Sequence, residues 1–264
     1  MTKATETNKV NKETEANKVN KATEATEKTG SLLTQYSSGV YEGRAKGKFQ
    51  IYTKNAAPGI SVYGEKTLIT DDGTEYRSWD PKRSKLGALY QKRLPVPLRS
   101  DSRVLYLGAA SGTTVSYVSD ILADGGNGVV YAVEFSEKPM RSLVMLAEKR
   151  SNIIPIFSDA SRPELYFPIV EPVDVIFQDV AQANQAEIAC RNAAYFLKDG
   201  GYLILSLKAR SIDVAKNPKK IFGEEIKILE KSDDVSFKVL RTVDLAPFHA
   251  DHMGVIAVKN SKKQ

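Results

Sequence analysis

From Arg103 onward, strand-like and helix-like segments alternate along the chain, and this alternation constrains the fold more than any other feature. The strand-like segments are short apolar runs, which are typical of strands buried on both faces of a sheet. We predict strands at 104–107, 128–133, 153–157, 173–177, 202–207, 237–245 and 255–259. Helices are predicted at 115–123, 139–150 with Ser136 as its cap, 183–197 and 218–230. This order predicts a doubly wound α/β sheet, in which ligands bind at the carboxyl ends of the strands.

Two regions of different character precede this sheet. Residues 1–30 consist almost entirely of Thr, Lys, Glu, Asn and Ala, so they have too few apolar groups to offset chain entropy and we predict a disordered tail. Residues 31–80 contain short β-prone segments at 48–52, 61–63 and 67–69, which predict a small antiparallel β-domain. Asp80 and Pro81 are suited to the cap and first turn of a helix, predicted at 82–93, so the α/β domain is placed at 81–264.

Composition narrows the classes of function. The chain is 42% hydrophobic and 27% charged, as globular proteins are, and its formal net charge of +6 is compatible with a polyanionic partner. A single cysteine, Cys190, and two histidines make a CxxC site or a His-rich metal site improbable on composition, so we expect no metal. The sequence has neither a secretory signal nor an apolar run long enough to span a bilayer, which predicts an intracellular protein that does not enter the membrane.

Small and acidic residues stand at three successive strand ends. The run Gly108-Ala109-Ala110-Ser111-Gly112 lets a ligand approach the backbone, and the following helix start offers free N–H groups. Glu134 can accept hydrogen bonds from a ribose diol, and Asp159 can accept one from an exocyclic amino group. Each feature alone is compatible with an ordinary turn or cap, but together they predict a pocket for an adenosine-bearing ligand. S-adenosylmethionine is favoured over a nucleotide because the chain lacks a Walker lysine and a GxGxxG fingerprint.

Five stretches resemble the fibrillarin family, namely 76–86, 106–116, 131–136, 178–182 and 207–213, and the resemblance runs in order from about 40 to 259. It implies a Rossmann-like class I methyltransferase sheet, mostly parallel with the last strand antiparallel. It further implies an enzyme that transfers a methyl group from S-adenosylmethionine to ribose 2′-hydroxyls of rRNA and tRNA. The implied partners are a box C/D guide RNA, a Nop-family scaffold protein and a kink-turn-binding protein. The tail contains no arginine, unlike the Gly/Arg-rich region of eukaryotic members, so the resemblance is to the archaeal type, which is cytoplasmic.

The resemblance also implies the site residues. The implied catalytic set is Lys85, Asp179, Lys208 and His252. The family's cofactor positions correspond to Gly108, Ala110, Thr113, Thr114, Glu134, Phe135, Asp159, Ala160, Asp179 and Gln182. We expect Thr113 and Thr114 near the methionine end and Phe135 against the adenine ring. His252 is preferred over His249 because an Asp-His pair precedes the final strand.

The roles within the catalytic set follow from the reaction. Methylating a ribose hydroxyl requires alignment of the oxygen with the methyl group and help in removing a weakly acidic proton. We therefore expect Lys208 to act as base or to orient the hydroxyl, with Asp179 positioning it. We expect Lys85 to be an orienting and electrostatic partner of these two residues. His252 is expected to act through the other catalytic residues, without touching the substrate. A structural ion pair at a strand end is the alternative for either lysine.

A basic stretch suggests where RNA binds. Residues 77–103 contain eight basic and two acidic residues, which suits a phosphate backbone, although a solvated helix face is the alternative. The candidate RNA-binding residues are Arg77, Lys82, Arg83 and Arg210. Trp79 and Cys190 are expected in the core. Exposed apolar residues of the small β-domain and of the first helices of the α/β domain are candidates for the scaffold interface.

Two other functions fit the same fold. The first is a methyltransferase that acts on a small molecule or a protein, which would need neither the basic stretch nor the catalytic set. The second is a catalytically silent RNA-binding scaffold. This function would be favoured if the protein failed to bind S-adenosylmethionine.

Overall fold

The computed structural model describes residues 26–27 and 33–260, apart from residues 46 and 234. The predicted disordered tail therefore lies outside the described residues except for Thr26 and Glu27, which pair with Thr67 and Leu68. Within the described part of the chain, no helix is both long and apolar enough to cross a membrane.

The amino-terminal part forms a small sheet, as predicted. Its strands are β1 (Thr26–Glu27), β2 (Thr34–Ser37), β3 (Val40–Ala45), β4 (Lys48–Lys54), β5 (Thr67–Ile69) and β6 (Glu75–Trp79). They are ordered β1-β5-β6-β4-β3-β2, and every pairing except that of β1 is antiparallel.

The predicted strand at 61–63 is absent. The backbone N–H groups of Val62 and Tyr63 instead turn inward to the Glu65 carboxylate, at 3.1 and 2.9 Å. The buried Glu65 carboxylate therefore binds the main-chain N–H groups that a strand would have used for pairing.

The main sheet has seven strands in the order β12-β13-β11-β10-β7-β8-β9. They are β7 (Arg103–Leu107), β8 (Val129–Glu134), β9 (Ile153–Phe157), β10 (Val173–Gln178), β11 (Leu197–Lys208), β12 (Phe237–Asp244) and β13 (His252–Lys259). β13 runs antiparallel to both of its neighbours, β11 and β12, and the other pairings in this sheet are parallel. The predicted doubly wound sheet with an antiparallel last strand is confirmed.

Helices cover both faces of this sheet. They are α1 (Lys85–Gln91), α2 (Thr113–Ala123), α3 (Glu137–Ala147), α4 (Gln185–Phe196), α5 (Ala209–Ile212) and α6 (Pro218–Lys231). Alternate residues of each strand face opposite sides, so Leu105 packs with α4 and α6 whereas Tyr106 packs with α1, α2 and α3. Cys190 lies in the same hydrophobic core as Leu105, as expected.

The helix predicted at 82–93 begins later, at Lys85. Its N-cap is Ser84, whose hydroxyl accepts from the Gly87 N–H at 3.0 Å, whereas Asp80 accepts from the Lys82 N–H in the preceding turn. Asp80 and Ser84 are both residue types that cap helices, and the helix begins after Ser84, the one nearer to its buried apolar residues. Ser136 lies at the N-cap of α3 as predicted, but its side chain makes no capping bond.

The small sheet packs against α1 and α2 through an apolar layer. Trp79 is fully buried and stacks on Tyr117 of α2, with 4.6 Å between ring centroids, so its expected packing role is confirmed. Beside this layer lies a buried ionic network, in which Asp120 of α2 binds both Arg77 of β6 and Arg150. The two sheets are thus joined by apolar packing and by buried charge pairs.

Candidate active site

The loop that follows β7 passes close under the end of β10. Gly108 has φ +82°, and a Cβ atom there would lie 2.4 Å from the carbonyl oxygen of Asp179, so only glycine fits. Gly108 and Ala109 both donate their N–H groups to the carbonyl of Val133, at 3.0 Å each. Ala110 also has a positive φ, of 48°. This strained turn brings the ends of β7, β8 and β10 together.

Glu134 is fixed at the end of β8. Its side chain is buried, and its two carboxylate oxygens accept hydrogen bonds from the N–H groups of Ala110, at 2.9 Å, and Ser136, at 2.7 Å. A carboxylate offers about four lone-pair sites, so two acceptor positions remain for a ligand. The predicted acid is therefore oriented by the glycine loop and can still bind a diol.

A cavity of about 380 Å³ opens beside this carboxylate. Phe135, one of the residues that line this cavity, is 63% exposed. The predicted residues that line it are Gly108, Ala110, Glu134, Phe135, Ala160, Asp179 and Gln182. An apolar ring next to a buried diol acceptor fits an adenosine moiety, and the volume lies in the range of small-ligand sites. The residues present thus suit S-adenosylmethionine.

Asp159 lies just behind this wall. Its carboxylate accepts from the Ser161 N–H at 2.8 Å and from the Gln182 side-chain amide at 3.0 Å. Burial raises the pKa of Asp159, but these hydrogen bonds more than offset it and leave the pKa below its ordinary value. Asp159 therefore caps a turn and also orients a cavity residue, whereas its expected hydrogen bond with an exocyclic amino group stays a prediction.

Thr113 and Thr114 lie in the first turn of α2, outside the cavity wall. The Thr114 hydroxyl donates to Ser84 at 3.1 Å and so ties α2 to the cap of α1. Their predicted position near the methionine end stays a prediction.

Sequence reasoning missed part of the cavity wall. The additional lining residues are Val133, Ser136, Pro139, Ser158, Val180 and Ala181. All but Pro139 directly adjoin the predicted Glu134, Asp159 and Asp179 in the chain or lie within two residues of them. Proximity to those acids is the signal that could have identified these residues.

The catalytic candidates form two pairs at the same edge of the sheet. Asp179 follows β10 and binds the ammonium group of Lys85, with 2.8 Å between Nζ and Oδ2. Both side chains are partly exposed, at 26% for Lys85 and 18% for Asp179. We expected Asp179 to position Lys208, and this is wrong for direct contact, because Lys85 at the start of α1 reaches the carboxylate instead.

Lys208 and His252 form the second pair. They lie directly opposite each other in the antiparallel register of β11 and β13, so their side chains share one face of the sheet. Among the described residues, the Lys208 ammonium group has no hydrogen bond or ion pair. Lys208 is therefore the cation at this edge that no carboxylate engages.

One ring nitrogen of His252 is held by the main chain. Its Nδ1 lies 2.6 Å from the carbonyl oxygen of Ala250, so Nδ1 donates a hydrogen bond to that oxygen. Burial lowers the pKa of His252, and the neighbouring Lys85 charge lowers it further. His249 instead bonds to the carbonyl of Pro81 at 2.9 Å. The two rings lie 5.8 Å apart, and the choice of His252 as the site residue stays a prediction.

The RNA-binding candidates divide into two groups. Arg77 is fully buried and binds Glu65 at 2.6 Å and Asp120 at 2.9 Å, so its prediction as an RNA contact is wrong. Lys82, Arg83 and Arg210 are exposed, with Arg83 over the Tyr63 ring and Arg210 bound to Asp251 at 2.9 Å. Three of the four candidates are thus available to a ligand. Within the described residues, no three His, Cys, Asp or Glu side chains are grouped so as to hold a metal ion.

Comparison with known proteins agrees with this geometry. The fibrillarin family model matches residues 33–261. The chain belongs to the fibrillarin family. A fibrillarin-like rRNA/tRNA 2′-O-methyltransferase from Methanosarcina mazei is 57% identical over 225 residues, which are 85% of this chain and 97% of that protein. The resemblance inferred from sequence motifs is therefore confirmed.

Two solved structures of the family are similar. Aeropyrum pernix fibrillarin, solved in complex with natively bound S-adenosyl-L-methionine, matches at a TM-score of 0.79 and 43% identity, over 88% of this chain and 100% of that one. A fibrillarin in a fibrillarin/Nop5p complex matches at a TM-score of 0.71 and 45% identity, over 80% of this chain and 94% of that one. These likenesses confirm the fibrillarin fold.

Proposed function

We propose that this fibrillarin transfers a methyl group from S-adenosylmethionine to ribose 2′-hydroxyls of rRNA and tRNA, as the catalytic subunit of a box C/D guide RNA–protein particle. The observation that carries the proposal is that Asp179 both lines the cavity beside Glu134 and binds Lys85, with the pair Lys208–His252 at the same sheet edge. The methyltransferase relative from Methanosarcina mazei supports the same reaction.

Different residues of the chain bind the cofactor and act on the ribose hydroxyl. S-adenosylmethionine would supply an electrophilic methyl group that needs no metal. Glu134 and Phe135 bind the nucleoside end, and the glycine loop allows its close approach. Lys208 is engaged by no carboxylate among the described residues. Once its ammonium group has lost a proton to solvent, the amine receives the proton of the ribose hydroxyl; as the ammonium ion, it orients that hydroxyl instead. Asp179 is held by Lys85, so its charge lies at the cavity wall in a fixed direction.

Exposed cations beside the site would hold the RNA backbone. Lys82 and Arg83 precede α1, which begins with Lys85, and Arg210 follows Lys208. They flank the catalytic pairs on two sides, as phosphate contacts on either side of a target ribose require. Such contacts position RNA without reading its bases, so sequence choice is left to the guide RNA.

The scaffold partner is proposed from the fibrillarin/Nop5p complex of the relative. The expected apolar surface on the small β-domain is slight, since among its described residues Ile60 and Ile69 are the exposed large apolar ones. The exposed large apolar side chains concentrate instead along 157–169 and at Tyr195, where the Phe167 and Tyr195 rings are in contact. A Nop-family protein would cover this patch. The kink-turn-binding protein and the cytoplasmic location stay predictions.

Substitution would locate this interface. We expect Phe167→Glu to abolish co-purification with the scaffold protein while S-adenosylmethionine binding is unchanged. Ile60→Glu, at an exposed apolar residue of the small domain, serves as the matched control and should still co-purify. The reverse result would place the interface on the small domain.

The test of function is transfer of a labelled methyl group to target RNA, by the protein alone and in a reconstituted guide particle. We expect transfer only in the particle, at a single 2′-hydroxyl chosen by the guide. Transfer to a protein or a small molecule would favour the first alternative function. No binding of S-adenosylmethionine would favour a silent RNA-binding scaffold.

A further inference from the structure

A buried glutamine side chain holds the main chain of Lys208 from one side. Gln185 is the first residue of α4 and is fully buried. Its amide oxygen accepts from the Lys208 N–H at 2.9 Å, and its amide nitrogen donates to the Lys208 carbonyl at 3.2 Å. One side chain therefore satisfies both main-chain groups of Lys208.

The pairing of the strands explains why such a side chain is needed. The last register pair between β10 and β11 is Gln178 with Leu205, yet β11 continues to Lys208. Beyond this pair, β11 has no strand partner on its β10 side within the described part of the chain. Buried main-chain groups without partners cost free energy, and a primary amide offers a donor and an acceptor just as a peptide group does. Gln185 thus takes the place of the missing strand.

The direction of these main-chain bonds shows where the Lys208 side chain points. Because both main-chain groups of Lys208 bond toward Gln185, Lys208 and His252 are a pair without mutual main-chain hydrogen bonds. The bond from the Ala209 N–H to the Asp251 carbonyl, at 3.1 Å, fits this pattern. Side chains of such a pair lie on one face with Cβ atoms about 4.5–5.5 Å apart. The register of β11 and β13, whose last pair Gln185 supports from the other side, therefore places the lysine beside the histidine.

The same amide also reaches the cofactor cavity. Its nitrogen donates a second hydrogen bond, to the Gln182 carbonyl at 3.0 Å, and Gln182 lines the cavity. The side chain of Gln178 donates to the Gln185 carbonyl at 2.7 Å. The side-chain amide of Gln185 thus uses both of its N–H donors, toward Gln182 and Lys208, and accepts from Lys208 with its oxygen. In this way it joins the cavity wall to the end of β11.

We propose that Gln185 is a positioning residue for methyl transfer, which fixes Lys208 relative to the cofactor cavity without touching cofactor or RNA. The proposal rests on the proposed function of Lys208. It predicts that loss of the Gln185 amide slows transfer more than it weakens S-adenosylmethionine binding, because the lysine is displaced while Glu134 and Phe135 stay in place.

The test compares full-length variants in the reconstituted particle. Gln185→Leu should slow single-turnover methyl transfer by about 10- to 100-fold, the scale of a misplaced catalytic group, with a smaller change in the Kd of S-adenosylmethionine. Gln185→Glu keeps the acceptor for the Lys208 N–H and should be intermediate. The control is Asn152→Leu, which removes an amide that holds the Ser119 carbonyl at 2.9 Å, near the opposite ends of the strands. It should leave the rate and the Kd unchanged.

A spectroscopic measurement separates this proposal from the proposed function. In protein with ¹³C- and ¹⁵N-labelled lysine, the Lys208 signal is assigned with Lys208→Arg. We expect that signal to move in Gln185→Leu and Gln185→Glu and to stay in Asn152→Leu. If the wild-type particle transfers no methyl group, the proposed function fails, and this signal still decides the role of Gln185. An unmoved Lys208 signal, or a loss of rate matched by the loss of affinity, would overturn the proposal.

Discussion

Removing the charge of Asp120 should destabilise the fold strongly. The carboxylate is buried on α2, and its Oδ2 accepts from Arg77 at 2.9 Å and from the Thr53 hydroxyl at 2.7 Å. Its Oδ1 accepts from the Ala56 N–H at 2.9 Å and from Arg150. Asp120→Asn keeps the shape but, among the described residues, leaves the buried Arg77 with Glu65 as its carboxylate partner and the buried Arg150 with none.

The magnitude follows from the buried charges. Breaking a buried ion pair by neutralising one partner costs about 3–5 kcal/mol, because the other charge is left without compensation. Arg150 has no other carboxylate partner among the described residues, and burial already lowers its pKa. Its charged form is therefore destabilised more than that of Arg77. A loss of this size is a large share of the roughly 5–15 kcal/mol by which domains are stable.

Equilibrium unfolding in urea tests this expectation. Trp79 is the only tryptophan and lies in the layer between the small sheet and α2, so its fluorescence reports on this interface. Far-UV circular dichroism should give the same midpoint if unfolding is two-state. The control is Glu137→Gln, which breaks an exposed pair with Arg141 and should change the midpoint little. A loss below about 1 kcal/mol for Asp120→Asn, the scale of one hydrogen bond, would refute the reasoning.

Three further predictions concern the site. Lys208→Ala should retain S-adenosylmethionine affinity by calorimetry but lose about 100-fold or more in methyl transfer, and near-normal turnover would remove Lys208 from the mechanism. Glu134→Ala should weaken S-adenosylmethionine binding by about 1–3 kcal/mol, and an unchanged Kd would contradict the ribose role. His252 should titrate by NMR below its ordinary pKa of 6.5, and Lys85→Met should raise that midpoint. Because the folded pKa is depressed, the stability that His252 contributes is complete above the unfolded pKa and is lost as the pH falls below it.

Local signals explain what could be predicted without coordinates. The apolar runs and the turn residues around Gly108 and Glu134 predicted the strands, and parallel strands necessarily end at one edge. The acids at those ends were therefore placed together correctly before any contact was known. Element ends were less certain, since Asp80 and Ser84 both suit a helix cap and only packing selects one.

Contacts between distant segments account for the rest. Arg77 stands in a basic stretch, yet Glu65 and Asp120 draw it into the core. Asp179 binds Lys85 and leaves Lys208 without a carboxylate among the described residues, although both lysines suited it by type. Periodicity and turn chemistry act over a few neighbouring residues, so the sequence alone determined the sheet, its order of elements and the edge at which ligands bind. Which charges meet depends on the packing of segments far apart in the chain, and only the tertiary structure decided that.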